Sequence, residues 1–357
     1  MKTSLRFVLF ASITLATGSA NAEAPMQASS VEHFTGRCLD AAHSDGKDVN
    51  CEISAVAKVG NRLFFANDKP IPGNATSSLF SIGVQEVPKL PLEFEHLTFQ
   101  GGKLFEATEK LEGLTKVSFD ATDYAMATNA FTKASNSASS RILYWPVDKP
   151  DEAKILGDPQ ELQQRIGEQL RETFFQVEGI AVDHDKNLLL GIRKLGADSK
   201  KAKPDFIILR APIKTLAGGE IVLGNEFEQA YRFTPNVPGD DRPLALSGLE
   251  YDPYNRRLLA TTSHEDGEKI GGYLWSLPLS LLQSDPVGTP QPILGTDGQP
   301  LWFDNKPEGV EVLSESQVLV VHDDDRVQVV DSEKGKSKKV NEFAYSVVTF
   351  GKDNASP

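Results

Sequence analysis

The chain has 357 residues, with 50 acidic against 37 basic side chains, 28 glycines and only two cysteines. A formal charge of -13 argues against nucleic acid as a general partner, because a phosphate backbone needs a basic face. No His or Cys cluster at zinc spacing surrounds the two cysteines, which argues against a zinc site built on them.

At the N-terminus, Lys2 and Arg6 precede the apolar run Phe7 to Ala16, and Ala20-Asn21-Ala22 offers a small-x-small cleavage site. That pattern predicts a secretory signal peptide over residues 1–22, too short to span a bilayer. Cleavage after Ala22 leaves 50 acidic and 35 basic groups on a periplasmic or secreted chain with no membrane insertion of its own. An oxidising compartment then predicts that Cys38 and Cys51 pair as a disulfide. Residues 23–30 are small and polar and read as a disordered lead-in. Val31 to Phe34 reads as a strand that pairs with the C-terminal end.

A repeat begins after this. Ile53-Ser54-Ala55-Val56-Ala57, a Gly60-Asn61 turn and Arg62 to Asp68 form two apolar runs around a tight turn, the signal of a β-hairpin. Ser78–Ile82 and Phe94–Phe99 supply two further strands. A second unit opens at Leu111-Glu112-Gly113-Leu114 and continues through Tyr124–Asn129 and Arg141–Trp145. Asp158-Pro159 followed by Leu162, Ile166 and Leu170 then breaks the β rhythm: an N-cap, a proline at the first helical position and an apolar stripe predict an amphipathic helix over 159–173. It packs on a rim or acts as a lid. The third unit is Phe175 to Asp183 with Leu188 to Lys194 and Phe206 to Arg210. The fourth opens at Leu246-Ser247-Gly248-Leu249 and the fifth at Pro307-Glu308-Gly309-Val310, with Arg326 to Val330 as its third strand.

The repeated positions are Ser54, Glu112, Glu178, Ser247 and Glu308, at intervals of 58, 66, 69 and 61 residues. One four-stranded sheet per interval predicts an all-β fold, a β-propeller of five blades over residues 31–350 with one inserted helix. A sixth blade fits only if Pro88 to Lys110 contains one. Val347–Phe350 closes the ring on an N-terminal strand, and residues 351–357 form a flexible tail.

In such a ring the start of each blade's first strand and the end of its second lie on one face, because consecutive strands are antiparallel. Glu112, Glu178 and Glu308 therefore converge on the channel mouth, where their mutual repulsion calls for a cation, protons or basic groups. Oxygen donors suit Ca²⁺, with Mg²⁺ or Mn²⁺ as runners-up. Alternatively, Arg193, Lys194 and Arg242 hold an anionic ligand, with the glutamates orienting the basic groups; Asn67 and Asn129 are further ligand-binding candidates, and His264 and His322 are candidates for moving protons. No Gly-x-Ser-x-Gly, phosphate loop or His-Glu-x-x-His motif is present.

Val177-Glu-Gly-Ile-Ala-Val, Leu246-Ser-Gly-Leu and Pro307-Glu-Gly-Val-Glu-Val-Leu313 resemble an uncharacterised family of exported bacterial propellers, similar in turn to the esterase-like phytase propellers. The resemblance covers about residues 50 to 335 and is strongest from 175 onward. It implies a propeller with a central Ca²⁺-dependent site and allows phosphoester or lactone hydrolysis. This chain departs from the pattern where two of the five start positions carry serine.

The expected function is a monomeric exported propeller that binds a small or polymeric ligand at its acidic central face. A metal-dependent hydrolase of phosphoesters or related esters and a protein-interaction scaffold are the alternatives.

Overall fold

The computed structural model describes residues 25–351, apart from 40–49, 70, 72–76, 101–102, 107, 109, 133–136, 268, 284–287, 324–327, 333 and 340. The expected signal peptide over 1–22 and the tail from 352 lie outside the described residues.

Each repeat unit folds into one antiparallel sheet. The innermost strands are Ile53–Val59, Leu111–Phe119, Phe174–Val182, Ala245–Asp252 and Pro307–Ser314. In the first four blades the strands follow one another outward in chain order. The innermost strands neighbour one another in sequence order, and the first also packs against the fifth. The fold is a five-bladed β-propeller. Among its described residues, the region from Pro88 to Lys110 holds the short strand Thr98–Phe99 and one turn of helix, Lys103–Glu106, and these make no sixth blade.

The blades stand face to face, and each inter-blade gap is filled by its own apolar layer. Phe64, Leu111 and Trp145 join blades one and two; Ile142, Val177 and Leu190 join two and three. Phe206, Leu249 and Trp275 join three and four; Leu259, Val310 and Val348 join four and five. Phe65, Phe80, Phe343 and Tyr345 fill the gap between five and one. A strand buried on both faces needs apolar residues at successive positions, which is why Leu188-Leu-Leu and Val318 to Val321 read as continuous runs.

Ring closure is made by both termini. The fifth blade runs outward from Pro307–Ser314 through Gln317–His322 and Glu342–Phe350 to the N-terminal strand Ala28–Arg37. Val31 lies opposite Val348 and Phe34 opposite Tyr345, as the sequence predicts. The third strand of this blade is Glu342–Phe350 and not the segment ending at Val330. Val329–Asp331 instead pairs with Lys336–Ser337 in a small separate hairpin. The long apolar C-terminal segment covers the blade better than a short run that opens with a charge. Order also begins earlier than expected: Met26 is buried and Gln27 bridges to Leu294.

The inserted helix spans Pro159–Leu170, and the Asp158 side chain accepts hydrogen bonds from the amides of Gln160 and Glu161. Leu162, Ile166 and Leu170 are buried in the layer between blades two and three, with Phe131 and Phe175. The helix is rim packing. Cys38 and Cys51 are disulfide-bonded, which ties the end of the outermost strand to the start of the first blade. A formed disulfide is the usual mark of an oxidising compartment.

Candidate functional site

All five innermost strands carry a bulge at the same place. The ladder passes from Ile53 to Ala55, from Leu111 to Gly113, from Val177 to Gly179, from Leu246 to Gly248 and from Pro307 to Val310. The skipped residues include Ser54, Glu112, Glu178, Ser247 and Glu308. A bulge turns a side chain out of the normal alternation and re-aims it. The sequence signal is an apolar spacing of three where a strand would have two, as in Val177 and Ile180 or Leu246 and Leu249.

The two kinds of skipped residue do different work. Glu112, Glu178 and Glu308 converge, each offering a carboxylate oxygen within 4.8 Å of the others, and all three are buried. Ser54 and Ser247 do not join them. The Ser247 hydroxyl donates to the carbonyl of Pro307 at 2.6 Å, and that of Ser54 donates to the carbonyl of Leu111. Each serine thus pins the residue that precedes a glutamate of the next blade. Behind the carboxylates the strands crowd together, and a Cβ on Gly248 would lie 1.7 Å from the Glu308 carbonyl oxygen. The axial void measures about 10 Å³, roughly the room that one water-sized sphere needs.

A shell of charge surrounds the cluster. Lys306 Nζ lies 2.7 Å from Glu308, 2.7 Å from Glu265 and 3.3 Å from Asp323. Arg193 reaches Glu265 at 3.0 Å and Glu178 at 3.8 Å, and donates to Ser263 at 2.8 Å. Lys110 sits 3.4 Å from Glu112 and 3.3 Å from Asp68. Among the described residues, Lys110, Arg193 and Lys306, with Lys194 beside Arg193, thus face six carboxyl groups. Glu308 Oε2 is buried and has no hydrogen-bond partner among the described residues.

These surroundings separate the carboxyl groups into two kinds. Burial, then the neighbouring Glu178 charge, pushes Glu112 up to about 8. Burial also raises Glu178 and Glu308 against the pull of Arg193 and Lys306. Glu265 is opposed by burial as well, yet Arg193 and Lys306 outweigh it and hold this carboxylate down to about 2. Arg193 and Lys306 stay charged for the same reason in reverse.

Of the other expected site residues, Arg193 belongs to the cluster and Lys194 borders it. Asn67 and Asn129 face backbone: Asn67 donates to the Lys69 carbonyl at 2.7 Å, and Asn129 accepts from the Arg141 amide at 3.2 Å. Arg242 is held by Asp240 at 2.7 and 2.6 Å and stacks 3.6 Å over the Trp302 ring. His322 lies inside the fifth blade, where Nε2 shares the Ser346 hydroxyl with His33 and the ring packs on Phe303. His264 sits on the fourth blade with Nδ1 3.2 Å from the Pro243 carbonyl. Neither histidine is brought into the glutamate cluster. Antiparallel order already puts the strand ends Asp68, Glu265 and Asp323, and the loop ending at Lys306, on the face of the channel mouth, though the sequence gives them no role; Lys110 is the residue that sequence reasoning missed.

No protein-family model matches the chain, and no characterised protein matches its sequence. Among solved structures it is similar to a luciferin-regenerating enzyme at 10% identity, covering 90% of this chain and 96% of that one, with a TM-score of 0.36. It is similar to the PQQ-bound aldose sugar dehydrogenase of Streptomyces coelicolor at 10% identity, covering 91% and 99%, with a TM-score of 0.36. A third is the periplasmic gluconolactonase of Pseudomonas aeruginosa, at 12% identity, 84% and 85% coverage and a TM-score of 0.34. All are propeller structures, and at these values the likeness says nothing of this chain's chemistry.

Proposed function

We propose that this protein is an exported propeller that binds a small or polymeric ligand at the acidic mouth of its channel, through one divalent cation held by Glu112, Glu178 and Glu308. The observation that carries this reading is the convergence of three buried carboxylates from three different blades, with Glu308 Oε2 left unpartnered. An unpaired buried carboxylate oxygen is costly unless something satisfies it. The donors are all oxygen, and three oxygens within 4.8 Å of one another need at most a small inward shift to meet Ca²⁺ at its usual distances of about 2.3 to 2.6 Å. Three carboxylates fall short of the six to eight ligands that Ca²⁺ takes, which leaves positions for oxygens of a ligand. Bound there, the ion would supply a Lewis-acid contact to such an oxygen. Lys306, Arg193 and Lys110 hold the carboxylates in place from outside.

One observation favours catalysis as a second reading. Glu112 keeps its proton up to about 8 while Glu265, on the same shell, is ionised down to about 2. Paired carboxyl groups with such separated acidities suit a proton donor and a charged partner. The corresponding activity is hydrolysis of phosphoesters or related esters, in which the cation would sit on Glu178 and Glu308 and leave Glu112 to give its proton to the leaving oxygen.

Thermal melting of the mature chain in EDTA, and then with Ca²⁺, Mg²⁺ or Mn²⁺, tests the cation. A rise with Ca²⁺ that is absent in Glu178→Gln supports it, and identical melting in all buffers refutes it. Turnover of a phosphoester or lactone panel that EDTA abolishes would select the hydrolase reading; ligand binding without turnover selects the first.

A further inference from the structure

Beside the channel mouth, on the fourth blade, lies a second concavity of about 610 Å³ lined by Arg242, His264, Asp266, Lys269 and Trp302. It is joined to the glutamate cluster by one strand. Glu265 reaches Arg193 and Lys306 at the mouth, while its neighbours in sequence, His264 and Asp266, line the groove. Alternation along Arg257–Asp266 puts the two sites back to back.

The groove is built in advance. Arg242 is fixed by two bonds to the Asp240 carboxylate, which also accepts the Tyr273 hydroxyl at 2.7 Å. The Trp302 ring is clamped under Arg242, sits edge-on to Tyr273, and lies so close to Gly271 that a Cβ there would be 1.9 Å from a ring carbon. His264 contributes a defined acceptor. The Pro243 carbonyl can only accept, so His264 Nδ1 carries the proton in the neutral ring, and Nε2 offers a lone pair with no protein partner among the described residues.

The chemistry of the lining selects the ligand. The charge of Arg242 is already given to Asp240, and Asp241 and Asp266 add carboxylates, so an anion is repelled. Lys269 opposes a cation. Fixed acceptors, spare N–H donors and an aromatic wall suit a neutral group that carries many hydroxyls and some C–H surface. We propose that this groove binds a neutral polyhydroxylated ligand, a carbohydrate or polyol unit, whose further oxygens extend toward the glutamate cluster. The inference rests on reading the acidic mouth as a ligand site.

The tryptophans supply a specific readout. Trp145 and Trp275 are 0% and 2% exposed, whereas Trp302 is half-buried at the groove. The mature chain with Ca²⁺ would be titrated with glucose, galactose, mannose, xylose, cellobiose and maltose at millimolar concentration, following intrinsic fluorescence and saturation-transfer NMR. The expected result is saturable binding of at least one saccharide with a change in emission. In Trp302→Phe the emission change disappears, and in His264→Gln affinity falls about tenfold, while the Ca²⁺-induced rise in melting temperature persists in both. Two results overturn the proposal: no saturable saccharide signal from a chain that still responds to Ca²⁺, or binding unchanged in both variants. A saccharide that binds through Trp302 in a chain indifferent to Ca²⁺ supports the groove and removes the cation reading alone.

Discussion

Ser247 of the fourth blade donates its hydroxyl to the carbonyl of Pro307 of the fifth at 2.6 Å, both groups being buried. That bond holds the residue immediately before Glu308, and Thr261 holds the Glu308 carbonyl itself at 2.8 Å. Ser247→Ala leaves a buried acceptor unpaired and should lower stability by about 1 to 3 kcal/mol, measured as the urea midpoint. Gly248→Ala should be worse, about 3 kcal/mol or more, because its Cβ would lie 1.7 Å from the same Glu308 carbonyl. Two variants as stable as the parent would show that this crowding is not what fixes Glu308.

Glu308→Gln separates the use of the cluster from its cost. The variant removes one of three mutually repelling buried carboxylates, while Lys306 keeps Glu265 and Asp323 as partners. In EDTA it should melt at or above the parent temperature; with Ca²⁺ it should gain nothing. Such a trade of stability against a strained site is common. A variant that melts well below the parent in EDTA would mark Glu308 as a structural counter-ion for Lys306.

His322 gives the fold an acid sensitivity. Burial, helped by nearby His33, lowers its proton affinity from the ordinary 6.5 to about 3. Between those values the unfolded chain takes up a proton that the folded chain refuses, so stability falls as pH drops from 6.5 toward 3. His322→Gln should cost stability at pH 7 by disturbing the bond to Ser346, yet its melting temperature should fall less steeply on acidification. Parallel curves for parent and variant between pH 7 and 4 would place the acid sensitivity elsewhere.

The disulfide closes a short loop, 13 residues in sequence separation. Cys38→Ser with Cys51→Ser should lower stability by about 3 kcal/mol in the chain-entropy account, and dithiothreitol should reproduce that loss in the parent and not in the variant. The outermost strand Ala28–Arg37 closes the ring, so hydrogen exchange in the fifth blade should rise most.

The repeat and its acidic start positions were legible in the sequence because a ring of like sheets repeats the same demands at each blade. Parity within a strand was not. Asp68, Glu265 and Asp323 reach the cluster, one residue beyond Asn67, His264 and His322. Alternation makes an error of one position an error of face, and only the ladder fixes it. Arg193 escapes that error because its own ladder is irregular: pairing to the next strand passes from Ile192 to Lys194. Lys110 lies in a connection between blades, where no periodicity exists to place a side chain, and Lys306 is placed from the sequence only as the end of a loop that opens on this face.

The most direct test is a crystal grown from the mature chain and soaked in Mn²⁺ or Ca²⁺, with anomalous scattering used to locate the ion. The account predicts one peak on the propeller axis, within about 2.6 Å of an oxygen from each of Glu112, Glu178 and Glu308. A soak at saturating ion that leaves the axis empty, with Lys306 still on Glu308, would contradict it.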